Sequence, residues 1–502
     1  MTSDEMLVNG VLLPGFTGTG VPGWLARAAD EGLAGACLFA GNVGPGLPAL
    51  TAALHEHRAG FLVASDEEGG SVTRLDGPWP GAAALGRLDD EAVTAAVAAA
   101  IGARCRDAGI DLALAPVADV NAEPDNPVIG IRSFGACPEL VSRHTAAFVR
   151  GMQGAGTAAT AKHFPGHGCT TTDSHLALPV VDDDATTVRA RDLPPFAAAV
   201  AAGVRCVLTA HVRFPAFDER PATMSPPLLA LLRRELGFDG VVISDAVDMA
   251  AVAATVGMGP GAIAAVAAGV DLVCTGNPQN GYDDETAYRA VRDALLAALA
   301  DGTLPRERLA EAGHRVAQLA AWVAAAPTGR GGVDGAQVVR RVSEVRGDVR
   351  VGPGAHVVDL RNARNIADGR SGEPRVAEAL RRRDPAVTAG AGTPAGRPLV
   401  VVVRGPSPAF DDLRAARPDA VAVHVGLPGA WRPAAPSVTL WGDGRVHAEV
   451  AAQLLAGIDW PDQGFRLVFP GGPQGRLRIR AHRRRYERRA EGARPGRERR
   501  DR

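Results

Sequence analysis

The strongest constraint on the fold is a regular alternation of short apolar runs with alanine-rich segments of helical spacing. Eight apolar runs recur in the first 300 residues, at 11–16, 35–40, 61–65, 110–116, 157–162, 205–210, 241–244 and 271–274. Helix-like segments lie between them, for example at 90–108, 138–154 and 284–300. Eight strand–helix units of this kind predict a (β/α)8 barrel, and a doubly wound sheet is the competing arrangement.

Reactive side chains follow five successive runs. Asp66 follows the third run, Asp119 the fourth, and Lys162 closes the fifth. His211 follows the sixth run and Asp245 the seventh. Catalytic groups of such barrels lie at the carboxyl ends of the strands, so these residues are predicted to meet at one face.

The segment 162–175, KHFPGHGCTTTDSH, is the densest reactive stretch of the chain. Lys162 is the only lysine among 54 basic residues, and the others are arginine. A single lysine in so arginine-rich a chain indicates a task that the planar guanidinium cannot perform. The neighbouring histidines and Asp173 make this segment a candidate site rather than an ordinary surface loop.

Asp245 and the Asp173–His175 pair are the candidate catalytic groups. A carboxylate at a strand end can serve as a nucleophile, a base or a metal ligand, and Asp245 can also simply cap a helix. In an extended loop, residues two apart project to one side, so Asp173 is expected to orient His175. His175 could then donate a proton to a leaving group and later accept one from water. The residues suited to hold sugar hydroxyls are Asp66, Arg74, Arg132, Lys162 and His163.

Composition narrows the class of protein. A chain of 502 residues with 46% hydrophobic and 22% charged residues is typical of a globular protein of two or three domains. The net charge of −2 gives no general attraction to nucleic acid or anionic membranes, so neither is expected as a partner of the folded domains. The six cysteines form no C-x-x-C pair, and no secretory leader or membrane span is recognisable, which predicts a cytoplasmic protein.

The pattern changes after residue 325. We predict a catalytic barrel at 1–325, a linker at 326–335 and a smaller α/β domain at 336–470. The arginine-rich tail at 471–502 is predicted to be disordered, and it could contact an acidic partner.

Several motifs resemble glycoside hydrolase family 3, in its β-N-acetylhexosaminidase branch. They are AKHFPGHG at 161–168 with DSH at 173–175, DEEGG at 66–70 with Arg74, LAPVADV at 114–120, NPVIGIRSFG at 126–135, PATMS at 221–225 and GFDGVVISDA at 237–246. They occur in the family's order and span roughly residues 10 to 325.

The resemblance implies a retaining enzyme that removes terminal β-linked N-acetylglucosamine from an amino-sugar glycoside, with no cofactor and no metal. It implies that Asp245 is the nucleophile and that His175, paired with Asp173, is the general acid/base. It assigns sugar binding to Asp66, Arg74, Arg132, Lys162 and His163. Members of this branch act in peptidoglycan turnover, and some longer relatives carry a C-terminal α/β domain.

Three other interpretations remain open from the residues. The same fold could use phosphate as the acceptor, because a histidine acid/base repels phosphate less than a carboxylate does. The histidines 163, 167, 175 and 211 with Asp245 could hold a catalytic metal, although Lys162 and Arg132 would repel it. The chain could also be a non-catalytic sugar-binding protein, although such a protein would not need Asp245, Asp173 and His175 together.

Overall fold

The computed structural model describes residues 2–75, 77–174, 176–361, 375–429 and 431–458. It also gives the backbone of two short strands, Arg466–Leu467 and Gly475–Arg476, which pair antiparallel. His175 and most of the predicted arginine-rich tail lie outside the described residues.

Eight parallel strands form a closed ring. They are Leu12–Leu13, Gly35–Leu38, Leu62–Ser65, Leu112–Ala113, Ala158–Phe164, Cys206–Thr209, Val241–Ile243 and Val273–Cys274. The second to the seventh strands pair in chain order, and the eighth pairs with the first. Bridges from Gly15 to Cys37 and from Ile243 to Leu272 complete the closure. The predicted (β/α)8 barrel is confirmed, and the doubly wound alternative for these strands is wrong because the sheet closes.

The helices of the barrel region surround this ring. They are Ser3–Asn9, Gly23–Asp30, Leu47–His57, Ala82–Leu88, Glu91–Asp107, Pro138–Gly154, Ala185–Arg191, Leu193–Ala201, Pro226–Ala230, Ala250–Ala253, Met258–Ala268, Asp284–Ala300 and Arg306–Ala325. Local chemistry sets their starts: Asp90 accepts hydrogen bonds from the amides of Ala92 and Val93, and Pro138 occupies a first helical turn. Throughout the described ranges, none of the helices has the length and apolarity needed to cross a bilayer.

One predicted helix differs from expectation. The helical spacing of the segment 225–236 predicts a single helix, but the α-helix ends at Ala230. A wider turn follows at Leu231–Glu235, in which the amide of Leu236 donates to the carbonyl of Leu231. Such i→i+5 turns interrupt the regular spacing of a helix, and residue spacing alone does not reveal them.

Two antiparallel hairpins lie on loops that follow barrel strands. The first pairs Glu67–Gly69 with Val72–Thr73, directly after the third strand. The second pairs Arg213–Phe214 with Asp218–Pro221, after the sixth strand. The first hairpin gives its residues a fixed geometry beside the barrel mouth.

A second sheet follows the barrel. Its strands are Glu344–Arg346, His356–Asp359, Thr388–Ala389, Leu399–Val403, Val421–His424 and Ser437–Thr439. All of the pairings are parallel except that of Glu344–Arg346 with Ser437–Thr439. The helices Gly335–Val342, Arg375–Arg381, Pro408–Ala416 and Arg445–Leu455 accompany it, and separate hydrophobic clusters involve alternate strand residues. Because alternate strand residues face opposite sides, the sheet is packed on both faces as in an α/β fold.

The base of the barrel depends on Asp271, which is fully buried at the start of the eighth strand. Its carboxylate accepts hydrogen bonds from Arg233, from Nη2 of Arg308 at 2.7 Å and from the amide of Val242 at 2.9 Å. Arg315 also lies within 3.4 Å. A single buried carboxylate therefore links the arginines of two helical segments.

We predict that Asp271→Ala lowers the free energy of unfolding by about 3–5 kcal/mol, because it removes the buried carboxylate that pairs with the guanidinium of Arg233. Within the described part of the chain, Arg308 and Arg315 would keep only their pairs with Glu311. Chemical denaturation followed by circular dichroism measures this loss. Asp348→Ala is the control, because it removes an exposed carboxylate that pairs with Arg350 and should change the midpoint little. Equal, small losses in both variants would contradict a stabilising role for Asp271.

Candidate active site

Six of the eight predicted site residues line one pocket at the carboxyl ends of the barrel strands. They are Asp66, Arg74, Arg132, Lys162, His163 and Asp245. Ser174, which belongs to the predicted acid/base segment, lines the same pocket. A larger hollow of about 410 Å³ lies between the helices Ser3–Asn9 and Arg306–Ala325, but no carboxylate or histidine lines it. The charged and titratable candidate residues therefore cluster at the mouth of the barrel.

Lys162 joins two buried carboxylates within this pocket. Its Nζ lies 2.7 Å from Oδ1 of Asp66 and 2.7 Å from Oε1 of Glu68. Arg74 donates from Nη2 to Oδ2 of Asp66 at 2.8 Å. Arg132 binds Glu68 through Nε at 3.0 Å and Nη2 at 2.8 Å, which is a bidentate pair. Three strand-end loops are therefore joined by charge-assisted hydrogen bonds.

These ion pairs keep Asp66, Glu68 and Lys162 charged. Burial by itself raises the pKa of Asp66, but the charges of Lys162 and Arg74 outweigh it and hold that pKa well below its usual range. Burial likewise raises the pKa of Glu68, yet Arg132 and Lys162 lower it overall. The pKa of Lys162 is raised, since its two carboxylate partners outweigh the effect of burial. Because sugars present hydroxyl groups, permanent charges of both signs are suited to holding them.

Asp119 organises the beginning of the 162–175 segment. Its Oδ2 lies 2.8 Å from Nδ1 of His163, and its Oδ1 accepts from the amides of His163 at 3.2 Å and His167 at 2.8 Å. An Nδ1–H donated to a carboxylate fixes the ring orientation of His163 and leaves Nε2 for the pocket. Nε2 lies 3.5 Å from Nη2 of Arg132.

His167 connects this cluster to the predicted acid/base segment. Its ring nitrogens lie 2.7 Å from Oγ1 of Thr170 and 3.0 Å from Oγ of Ser174. Burial lowers the pKa of His167 to about 4, so the ring is neutral near pH 7. The imidazole therefore acts as a buried hydrogen-bonding link to Ser174, which stands between Asp173 and His175.

The conformation of this segment differs from the expected one. An extended loop was predicted at 173–175, but the amides of Leu176 and Ala177 both donate to the carbonyl of Asp173. The chain therefore turns immediately after Asp173, and the predicted extended loop is wrong. The position of His175 lies outside the described residues, so its acid/base role stays a prediction.

Asp245 lies half-buried directly after the seventh strand and lines the pocket. Its Oδ1 accepts from the amide of Ala246 at 2.9 Å. The carbonyl of Ala246 lies 3.0 Å from Nε2 of His211, whose Nδ1 lies 2.8 Å from Oγ1 of Thr223. His211 thus supports the backbone that carries Asp245.

A second carboxylate, Asp248, lies three residues beyond Asp245. It accepts from the amide of Asn277 at 2.8 Å, and burial raises its pKa to about 6. Asn277 lines the pocket, so Asp248 holds one wall of the site.

Several supporting residues were not predicted as site residues. Glu68, Asp119, His167, Ser174 and His211 were not in the predicted catalytic or binding set. Glu68 was visible within the acidic run 66–68, and Asp119 and His211 were noted at strand ends, but their partners are distant in sequence. Their roles emerge only when the barrel brings separate loops together.

The barrel region of the chain is similar to a known enzyme family. The profile of the family described as "Glycosyl hydrolase family 3 N terminal domain" matches residues 49–319. The chain is 36% identical over 314 residues to a "Beta-hexosaminidase" of Xylella fastidiosa (strain M23), which covers 59% of this chain and 92% of that protein. It is also 34% identical over 316 residues to "Beta-hexosaminidase A" of Pseudoalteromonas piscicida, covering 57% of this chain and about half, 53%, of that relative.

A solved structure extends the comparison over most of the chain. It is a glycoside hydrolase family 3 beta-N-acetylglucosaminidase from Paenibacillus sp. str. FPU-7, with a TM-score of 0.76 and 28% sequence identity. The match covers 91% of this chain and 97% of that one. The chain belongs to glycosyl hydrolase family 3.

Glu67 supports the pocket from behind. It is fully buried, and its carboxylate accepts from Oγ of Ser65 at 2.9 Å, from the amides of Arg74 at 3.1 Å and Leu75 at 3.0 Å, and from Thr73. Burial is the largest influence and raises the pKa of Glu67 to about 7, although these hydrogen bonds oppose it. Glu67 therefore fixes the backbone of the hairpin that carries Arg74.

We predict that Glu67→Gln changes the pH dependence of stability. A carboxyl with a folded-state pKa near 7, against about 4.5 when unfolded, contributes stability below pH 4.5 that is lost as pH rises through 7. The wild type should therefore lose up to about 3 kcal/mol relative to Glu67→Gln between pH 5 and pH 8. Denaturant titrations at several pH values measure this difference.

Glu68→Gln is the matched control for that experiment. The pKa of Glu68 is lowered, so its contribution is present above the unfolded pKa and is lost only at more acid pH. Its difference from the wild type should stay constant between pH 5 and pH 8. A constant difference for Glu67→Gln as well would refute the assigned pKa shift.

Proposed function

We propose that this chain is a retaining β-N-acetylhexosaminidase that removes terminal non-reducing β-linked N-acetylglucosamine. The observation that carries the proposal is the presence of Asp245 in one pocket with the Asp66–Lys162 ion pair and Arg132. The sequence-based expectation of a β-N-acetylhexosaminidase-type enzyme is confirmed by relatives named beta-hexosaminidase and by the family 3 beta-N-acetylglucosaminidase structure.

In the proposed first step, a carboxylate oxygen of Asp245 attacks the anomeric carbon of the bound sugar. The bond to the leaving oxygen breaks, and a covalent glycosyl-enzyme forms. Water then attacks the same carbon and releases the sugar, so two inversions give overall retention of configuration. The hydrogen bond from the amide of Ala246 and the support from His211 keep the carboxylate in position.

His175 is the proposed general acid/base. It donates a proton to the leaving oxygen in the first step and accepts one from water in the second. Asp173 stabilises the protonated imidazole in this proposal. The contact between His167 and Ser174 supports this role, because Ser174 lies between Asp173 and His175 in sequence and is held beside the pocket.

Sugar hydroxyls are assigned to the charged groups of the pocket. Asp66 accepts hydrogen bonds, Arg74, Arg132 and Lys162 donate them, and His163 presents its Nε2 to the sugar. Since each charge is held by a partner before the substrate arrives, little reorganisation is needed on binding.

The natural substrates that we propose are peptidoglycan fragments in the cytoplasm. The six cysteines are all free in the structure, and four of them are buried. Unpaired thiols are typical of a reducing compartment, which supports this location.

We predict that Asp245→Ala abolishes turnover of an aryl N-acetylglucosaminide, since it removes the carboxylate that forms the glycosyl-enzyme in this proposal. Asp248→Asn is the control, because it alters a nearby buried carboxyl but retains an acceptor for the amide of Asn277. It should keep most of the activity. Full activity of Asp245→Ala would support a non-catalytic sugar-binding site or a different nucleophile.

We predict that His175→Ala lowers turnover by about 100- to 10,000-fold on a substrate with a poor leaving group. The loss should shrink with an activated aryl leaving group, which needs less protonation. Asp173→Asn should show the same dependence on the leaving group. Equal losses on both substrates would exclude His175 as the acid.

The acceptor is decided by measuring turnover with and without inorganic phosphate. Hydrolysis predicts phosphate-independent release of free N-acetylglucosamine. A strong phosphate requirement with a sugar 1-phosphate product would instead establish a phosphorylase.

A further inference from the structure

The second domain touches the barrel by direct backbone contact beside the sugar pocket. A Cβ added to Gly444 would lie 2.5 Å from the carbonyl oxygen of Gly70, and one added to Gly70 would lie 3.3 Å from the carbonyl oxygen of Asp443. Gly444 has φ +128° and Gly70 has φ +61°. A side chain at Gly444 would clash with Gly70, and one at Gly70 would clash with Gly81 and crowd the second domain. Both would also strain the backbone.

Gly70 lies in the turn of the hairpin that carries Glu68. Glu68 binds Arg132 and Lys162, both of which line the pocket. A small hollow beside this contact is lined by residues of both domains, among them Glu68, Arg132, Gly70 and Asp443. A shift of Gly70 would therefore be transmitted over two residues to the carboxylate that holds both cations.

A second contact reaches Arg132 from another direction. The helix Ala82–Leu88 packs against the helix Gly335–Val342 of the second domain and against the turn Gly130–Arg132. Arg87 on this helix lies 4.9 Å from the ring centroid of Trp441. The second domain therefore contacts the barrel elements that lie next to Glu68 and next to Arg132.

The contacting segment, Asp443–Gly444, is fixed within its own domain. Oδ2 of Asp443 accepts from Nη1 of Arg361 at 2.8 Å and from Nη2 of Arg404 at 3.2 Å, and Oδ1 accepts from the amide of Gly444 at 2.7 Å. Burial raises the pKa of Asp443, but the two arginines outweigh it and lower that pKa to about 2. The carboxylate is therefore charged at every working pH and holds the segment rigidly.

We infer that the Asp443–Gly444 segment of the second domain positions the Glu68–Arg132 pair of the sugar pocket, which makes this domain a positioning element of the active site. The inference rests on the proposed function for its kinetic consequence. Neither residue reaches the reacting atoms in this account, and their effect passes through Gly70.

Gly444→Ala tests this inference in the full chain. The new methyl group would push the carbonyl of Gly70, so kcat/KM for an aryl N-acetylglucosaminide should fall about 10- to 100-fold. Most of the change should appear in KM, because Arg132 and Lys162 hold the sugar before and during reaction. Gly457→Ala is the matched control, because Gly457 also has a positive φ, +68°, in the second domain but contacts Arg350 rather than the barrel.

Asp443→Asn provides a milder variant if Gly444→Ala folds poorly, and it should raise KM in the same direction. Hydrogen exchange of peptides covering residues 66–75 gives a readout that needs no activity. Exchange there should rise in Gly444→Ala and Asp443→Asn but not in Gly457→Ala. Unchanged exchange and an unchanged KM in both variants would overturn the inference. A wild type without turnover would contradict the proposed function alone, and hydrogen exchange would then decide the positioning role.

Discussion

The ammonium group of Lys162 between the carboxylates of Asp66 and Glu68 is the interaction on which the site depends. Burying three charges costs desolvation energy that their attraction repays only when the geometry is good and further hydrogen bonds are made. Arg74 and Arg132 supply those hydrogen bonds. The network therefore contributes less to net stability than to fixing a set of charges. A compact ammonium suits a point shared by two carboxylates, whereas a planar guanidinium favours one bidentate partner, as Arg132 does with Glu68.

Asp119 and His167 are buried, and they extend the hydrogen-bond network towards the segment that carries the proposed acid. Asp119 holds the imidazole of His163 and two backbone amides, so the end of the fifth strand and the loop after it are bound at three points. Neutral His167 continues the connection to Thr170 and Ser174. The neutral ring is a consequence of burial, and it avoids placing another positive charge beside the cations of the pocket. The residues proposed to bind the sugar and the segment that carries the proposed acid thus share one hydrogen-bonded network.

Much of this could be predicted from sequence, because strand ends of a barrel converge regardless of loop detail. The eight apolar runs located the strands, and Asp66, Lys162 and Asp245 were placed at one mouth. The pairings could not be predicted, since Lys162 is 96 residues from Asp66 and Arg132 is 64 from Glu68. Only barrel closure brings such residues together. The turn after Asp173 was missed although Asp173 and Ser174 are both turn-forming residues, because the two-residue spacing of Asp173 and His175 was interpreted as an extended loop.

The central claim is that Asp245 forms a covalent bond with the sugar, and trapping measures this most directly. The protein is incubated with a fluorinated substrate analogue whose glycosyl-enzyme turns over slowly, then digested and analysed by mass spectrometry. The account predicts one labelled peptide, with the sugar attached to the carboxylate of Asp245. A label on any other residue would contradict the assignment. Release of product with inverted configuration, without a trapped intermediate, would contradict the retaining mechanism itself.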